Sequence, residues 1–303
     1  MRVAFAGSPE AAVPPLRALA GSGHEVTVVV SQPDRVRGRG RTPTPTPVAA
    51  AAQELGIPVL RPRTINDPDV LEQIAATGAE ALAVVAFGQI LREGVLGRWP
   101  CVNVHFSLLP AYRGAAPVER ALLDGVRETG VTIMLMDAGL DTGPILATRS
   151  VPVAEDDDAG AVLERLSALG GPMLADALTA LADGTARPRP QPEEGVSLAP
   201  KITAEDRVLD LAEPAEALAR RVRALSPHIG AVCRIDGEPF KVWRARASAD
   251  AAPAGLSRRD GRLVAGCAEG SLEIIELQPP GRGRMEASAF LRGWRGALAW
   301  GTA

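Results

Sequence analysis

Apolar and polar positions alternate in short blocks along the first half of the chain. Apolar runs at residues 3–6, 26–30, 81–86, 102–106 and 131–136 have the length of strands. Between several of them the apolar spacing becomes helical, at 9–20, 48–55, 70–76 and 116–124. Ser8 sits at the N-cap of the first helix with Pro9 in its first turn, and Gly56 ends the second. The run 81–86 is apolar on both faces, as in a central strand. Strands alternating with helices predict an α/β domain with a parallel sheet covered on both faces. An amphipathic helix follows at 162–182, interrupted around Gly170-Gly171-Pro172. Pro188, Pro190 and Pro192 recur at every second position, which favours an extended, stiff linker or edge segment. Beyond it the pattern changes to one helix at 214–225 and short strands at 231–235, 240–245, 263–267 and 272–277. Asp236-Gly237 and Glu269-Gly270 mark turns between them. That composition predicts a small C-terminal β-barrel. The expected division is a domain over 1–186, a linker over 187–203 and a second domain over 204–303.

Composition adds three constraints. A 303-residue chain with 46% apolar residues can fill two cores, but with 3% aromatics Ala, Val and Leu must fill them. Cys101, Cys233 and Cys267 cannot all pair and have no C-x-x-C spacing, which argues against a disulfide scaffold and a zinc site and for a reducing compartment. Neither the run at 3–6, cut short by Ser8-Pro9-Glu10, nor the run at 81–87 suits a signal peptide or a membrane span, so a soluble cytoplasmic protein is expected. The net charge of −3 is uneven: 17 Lys+Arg against 23 Asp+Glu in residues 1–200, 16 against 13 in residues 201–303. The more basic C-terminal part points to an anionic partner.

The richest chemistry lies in Cys101-Val102-Asn103-Val104-His105-Phe106-Ser107. Side chains of a strand alternate between faces, so Asn103, His105 and Ser107 share one face. An amide donor beside an imidazole suits acyl chemistry, in which one group holds a developing oxyanion and its neighbour moves a proton. A lone histidine is most often a core residue; its polar neighbours at a strand end favour catalysis here. Asp137-Ala138-Gly139-Leu140-Asp141-Thr142-Gly143 follows the strand at 131–136 and is placed at that strand's C-terminal end. Asp137 reads as a turn residue, and Asp141 as a carboxylate partner for His105. Arg35, Arg37, Arg39 and Arg41 alternate with small residues, either as a solvated loop or as a phosphate-gripping arm. A second exposed loop carries Arg282 and Arg284. The chain has no G-x-x-x-x-G-K-[ST], G-x-S-x-G or H-E-x-x-H, so nucleotide hydrolysis, serine hydrolysis and zinc proteolysis lack support.

Together, Asn103-Val104-His105, Ser107-Leu108-Leu109-Pro110, Tyr112-Arg113-Gly114-Ala115-Ala116-Pro117 and Gly139-Leu140-Asp141-Thr142-Gly143 resemble the signature of the folate-dependent formyltransferases. Gln32-Pro33-Asp34-Arg35, Ala199-Pro200-Lys201-Ile202-Thr203 and Leu277-Gln278-Pro279-Pro280-Gly281 are similar to the branch of that family that acts on tRNA. The resemblance implies a Rossmann-like formyltransferase domain and an OB-like barrel. It implies 10-formyltetrahydrofolate as formyl donor, methionyl initiator tRNA as acceptor, no metal, and a monomer. It assigns catalysis to Asn103, His105 and Asp141, the folate site to Ser107, Leu108, Leu109 and Pro110, and a tRNA contact to Arg39; the charge of their loops adds Arg35, Arg37, Arg41, Arg282 and Arg284 as expected tRNA contacts. Two departures stand out: Ala11 where the family has Phe, and Ser226-Pro227-His228-Ile229-Gly230 where it often has Asn-Pro-Trp-Pro. A formyltransferase for a small amine, a hydrolase of the same folate, and a non-catalytic RNA-binding protein are the alternatives. The first needs neither the arginine loop nor the barrel, the second would use water as nucleophile, and the third has no use for an intact Asn–His–Asp set.

Overall fold

The five apolar runs become strands of one seven-stranded sheet. In a computed structural model that describes residues 1–36 and 43–301, with only the backbone of Arg35 and Val36, the strand order is Ile145–Pro152, Glu128–Leu135, Cys101–His105, Ala81–Val85, Arg2–Gly7, Glu25–Val30, Val59–Leu60. The expectations for Arg37, Arg39 and Arg41 lie outside the described residues. The pairs among the last five strands are parallel. Glu128–Leu135 pairs antiparallel with both neighbours, so it alone among the strands of this sheet runs the other way. Alternating helix and strand signals do not encode direction at a sheet edge. The short connection 136–144 does: a parallel return needs a crossover of a dozen residues or more. The order reverses between Arg2–Gly7 and Ala81–Val85, the type of crevice where open α/β sheets bind ligands.

Two local expectations are corrected. Ser8 caps no α-helix; a 3₁₀ turn at Glu10–Ala12 precedes the helix Val13–Ala20. The Ser8 hydroxyl instead accepts from the Gln32 amide at 3.1 Å and donates to the Phe87 carbonyl at 3.4 Å, stitching three strand ends together. Nor does the helix break at Gly170-Gly171-Pro172, for it runs from Ala159 to Ala182 with Pro172 inside. The glycines are there for packing. A Cβ at Gly170 would lie 2.7 Å from Val104 Cγ1, and one at Gly171 would lie 2.7 Å from the Ala18 Cβ. The helix therefore lies close against the apolar face of Cys101–His105 and leaves the polar face for the site. The proline segment extends the sheet edge, where Arg189 and Ile145 exchange backbone hydrogen bonds at 2.9 and 2.7 Å.

By compactness the chain forms two units. The sheet unit comprises Met1–Gly114, Glu128–Pro152 and Leu163–Leu198; Ala115–Arg127 and Val153–Val162 group with the chain from Ala199 onward. In the second unit the strands lie in the order Gly255–Arg259, Arg262–Gly266, Ser271–Gln278, Glu238–Ser248, Ala231–Ile235, Trp300–Gly301, all antiparallel, forming a nearly closed barrel. The helix Ala215–Leu225 lays Leu218, Val222 and Leu225 into its core beside Phe240, Val242 and Ile274. Edge-on stacking of Phe240 against Phe290 and Trp294, with centroids 5.4 and 6.0 Å apart, helps close one side. Among the described residues no helix is long and apolar enough to cross a membrane.

Candidate active site

Strand pleating delivers the expected shared face: Asn103 and His105 are 8% and 5% exposed, while Val102, Val104 and Phe106 face the helix side. The His105 ring is held at Nε2 and faced by a carboxylate at Nδ1. Nε2 lies 2.8 Å from the Tyr112 carbonyl oxygen, which can only accept, so Nε2 carries a proton. Nδ1 lies 3.7 Å from Asp141 Oδ2. At that spacing the carboxylate faces Nδ1 across an ion-pair distance, without a direct hydrogen bond. The Asp141 carboxylate also accepts from the Gly114 amide at 2.8 Å. No hydrogen bond of the Asn103 side-chain amide to protein is found among the described residues, which leaves its two N–H donors for a substrate oxygen.

The loop reaches His105 by a route the sequence did not disclose. Because Glu128–Leu135 is reversed, its C-terminal end lies beside Val102, not beside His105, whose partner is Thr132. The loop therefore folds back over the polar face by roughly 10 Å, three residues of strand rise. Asp137 makes that return, its Oδ1 accepting from Gly139 N at 3.0 Å and Thr142 Oγ1 at 2.7 Å, as expected of a turn residue. Both groups that flank His105 belong to strained residues: Tyr112 has φ +60° and Asp141 φ +51°. Left-handed non-glycine backbone costs about 1–3 kcal/mol per residue and persists only where neighbours over-determine it.

Ser107 is fully buried and spends its hydroxyl inside the turn, on the Ala111 carbonyl at 2.6 Å. Leu109 and Pro110 are also buried, and Leu108 lies over Gly130, where a Cβ would come within 2.4 Å of its Cδ2. Thr132 locks this turn from the neighbouring strand, donating to the Ser107 carbonyl at 2.7 Å and accepting from Leu109 N at 3.1 Å. Sequence reasoning missed Thr132, whose importance is visible only in the strand register. It also missed a cavity of about 300 Å³ at the strand-order reversal, lined in part by Ser8, Gln32, Thr46 and Phe87.

In the second unit Arg282 is exposed, and the Arg284 guanidinium lies 3.5 Å above the Trp243 ring centroid. Lys241 Nζ lies 5.2 Å from the same centroid. Three cations grip carbonyls of one turn: Arg284 on Pro227, Lys241 on Ile229 at 3.1 Å and Arg207 on Gly230 at 3.2 Å. Burial, and then the charges of Arg207 and Arg284, push the Lys241 amine below its ordinary value. Arg207 and Lys241 had no sequence signal beyond charge. Among the described residues no three His, Cys, Asp or Glu side chains gather as a metal site would require.

Known proteins share this architecture. The family described as formyl transferase matches residues 1–178, and the one described as formyl transferase, C-terminal domain, matches 201–295. A methionyl-tRNA formyltransferase of Halorhodospira halophila is 45% identical over 97% of this chain and 96% of its own length. That of Thiobacillus denitrificans is 44% identical over 100% and 99%. Among solved structures, an N-formyltransferase of Helicobacter canadensis, in complex with folinic acid and dTDP-3-aminofucose, superposes with a TM-score of 0.65 at 17% identity, covering 90% of this chain and 97% of its own. HypX of Aquifex aeolicus, in complex with tetrahydrofolic acid, gives 0.70 at 18% identity over 99% of this chain and 50% of its own. These two likenesses are of fold.

Proposed function

We propose that this chain, which belongs to the formyltransferase family, transfers the formyl group of 10-formyltetrahydrofolate to the free amino group of methionyl initiator tRNA. The observation that carries the reading is the buried pairing of His105 with Asp141 beside the open Asn103 amide, in a chain 45% identical to a methionyl-tRNA formyltransferase over nearly its full length.

The chemistry asks little of the protein beyond placement and charge. The amine nitrogen bonds to the formyl carbon, the bond from that carbon to the donor nitrogen breaks, and one proton passes from amine to donor nitrogen. Asn103 donates to the formyl oxygen as it gains charge. His105, with Nε2–H fixed on Tyr112, receives the proton of the amine at Nδ1, where the Asp141 carboxylate faces the charge that forms, and returns it to the leaving nitrogen. The Nε2 bond to Tyr112 keeps the ring from turning while the proton moves. The turn from Ser107 through Leu108 and Leu109 to Pro110 supplies a wall for the folate. Its buried side chains set the shape and its backbone meets the ligand.

The RNA is held through phosphates. Arg284, with Lys241 and Arg207 beside it, forms one grip, and exposed Arg282 lies on the same loop. Arg35, Arg37, Arg39 and Arg41 form another on the strength of their sequence spacing. Asp34 pairs with Arg61 at 3.2 Å. The decisive experiment is transfer of labelled formyl to methionyl initiator tRNA, with free methionine and a small amino sugar as parallel acceptors. Label on the tRNA alone is expected. Equal transfer to the small amines, or release as formate, would replace this reading with one of its alternatives.

A further inference from the structure

The segment 187–203 reads in sequence as a stiff linker, yet it carries a side chain whose hydrogen bonds all end on the active-site loops. Gln191 Nε2 donates to the Asp141 carbonyl at 2.7 Å and to the Gly143 carbonyl at 2.9 Å. Its Oε1 accepts from Arg113 Nε at 3.1 Å and Nη2 at 2.6 Å. Both amide donors and both acceptor lone pairs are thus used. Six residues on, Ser197 Oγ accepts from Tyr112 N at 2.9 Å, and the Ser197 carbonyl accepts from Arg113 N at 2.9 Å.

These bonds fall on the two strained residues that flank His105. Tyr112 supplies the carbonyl on Nε2, and Asp141 the carboxylate facing Nδ1. A left-handed non-glycine residue relaxes unless held. Rotation at Asp141 would swing the carboxylate off Nδ1, and rotation at Tyr112 would withdraw the carbonyl from Nε2. Gln191 holds the first and Ser197 the second. We infer that Gln191 is a positioning residue for the formyl-transfer site: through its two donated bonds it fixes the Asp141–Gly143 loop against His105, so the proline segment is part of the catalytic apparatus as a strap. This inference rests on the function proposed above only for its rate readout.

The test separates the two halves of the amide. Gln191→Ala removes every bond. Gln191→Glu keeps acceptors for Arg113 and deletes both donors to the loop. The chain has three histidines, so ¹⁵N-histidine labelling gives three imidazole signal sets, assigned with His24→Gln and His228→Gln variants. Both Gln191 variants should shift the His105 ring nitrogens while those of His24 and His228 stay fixed, and should lower kcat by roughly 10- to 100-fold with KM for both substrates within about threefold. Ser197→Ala should give a smaller loss, since the Ser197 carbonyl still holds Arg113. Wild-type kcat and His105 signals in Gln191→Glu would overturn the inference and leave Gln191 as an anchor for Arg113. A rate loss with unmoved His105 signals would overturn it too. If Gln191→Ala fails to fold, Gln191→Glu carries the decision. Should the wild-type enzyme transfer no formyl to methionyl-tRNA while Gln191→Glu still moves the His105 signals, the function falls and the positioning role stands.

Discussion

The His105 site and the cation cluster at Trp243 are both built on backbone carbonyls, yet they are finished differently. Around His105 each charge or proton has a counterpart: Nε2 on Tyr112, Nδ1 beside Asp141, Asp141 on Gly114. Around Trp243 three cations are brought together by Pro227, Ile229 and Gly230, and the charged form of the half-buried Lys241 amine is disfavoured by desolvation and then by its charged neighbours. The first arrangement is complete in its charges and lacks only reactants. The second, on the function proposed, is completed by the phosphates of the RNA. Chemistry at a carbonyl needs donors fixed before the transition state forms. Recognition of a polyanion gains from repulsion that the ligand relieves, and that term is sensitive to salt.

The largest way to test this contrast is to empty the first region. Replacing Asn103 or His105 with Ala should cut turnover by roughly 10²–10⁴ while tRNA affinity and its salt dependence stay at wild-type values. Turnover within a few-fold of wild type would remove either residue from the mechanism. Asp141→Asn keeps the shape and the left-handed tolerance of the loop but withdraws the charge that faces Nδ1. Its rate should fall by about 10–100-fold and its pH–rate profile should change form, because the carboxylate facing the imidazole is gone. Full activity with an unchanged profile would reduce Asp141 to a loop residue.

The opposite outcome is expected in the second region. Lys241→Ala with Arg284→Ala should weaken tRNA binding by about tenfold or more and lower the log–log salt slope by about one unit per lost phosphate contact. Turnover at saturating tRNA should hold. A large fall in kcat with the slope intact would mean that the cluster serves the fold. A Trp243→Leu variant sharpens the point, since it removes the ring under Arg284 while leaving the charges.

What could be read in the sequence follows the same divide. Periodicity placed five strands of the first sheet and four of the barrel, because burial on one face or both leaves a pattern. It missed Val59–Leu60 and Ile145–Pro152 of the sheet and Gly255–Arg259 and Trp300–Gly301 of the barrel, all edge strands that are short or partly exposed. Asn103 and His105 were legible since two-residue spacing along one strand is a geometric statement. The pairing of Asp141 with His105 was expected from residue chemistry and a motif, but the reversed strand that routes the loop over the face was not. Gln191 was hidden for a different reason. Its hydrogen bonds join positions 78, 50 and 48 residues away in sequence, and no local pattern encodes such partners. The arginines of the barrel showed only charge. Which of them cluster was decided by the carbonyls of the turn at 227–230, a stretch that departs from the family sequence.

The smallest expected effect probes an ion-paired cation of the second unit, Arg120, against the carbonyl-held cluster at Trp243. Arg120 meets Asp206 in a two-pronged bridge at 2.8 and 2.6 Å, one residue before Arg207, which joins the Trp243 cluster instead. Hydrogen bonding to Arg120 holds the Asp206 carboxyl down at about 2, against burial, which acts in the other direction. A carboxyl whose folded value lies below its unfolded one of about 3.9 stabilises the fold above that value, and the contribution is lost as pH falls towards 2. The pair is partly exposed, so the effect should be about 1–2 kcal/mol at neutral pH once solvent screening is allowed for. Asp206→Asn should therefore lower denaturant stability by that amount at pH 7. Near pH 2–3 the difference from wild type should shrink, because the wild-type carboxyl is then itself becoming neutral. Tenfold higher salt should reduce it further. A loss that persists undiminished at pH 2 would trace the effect to the Thr203 amide, which also bonds Asp206 at 2.7 Å, and the ion pair would have no stabilising share. An Asp206→Asn protein with unchanged stability but a steeper tRNA salt slope would mean that Arg120, once released, joins the anion-seeking side of the comparison.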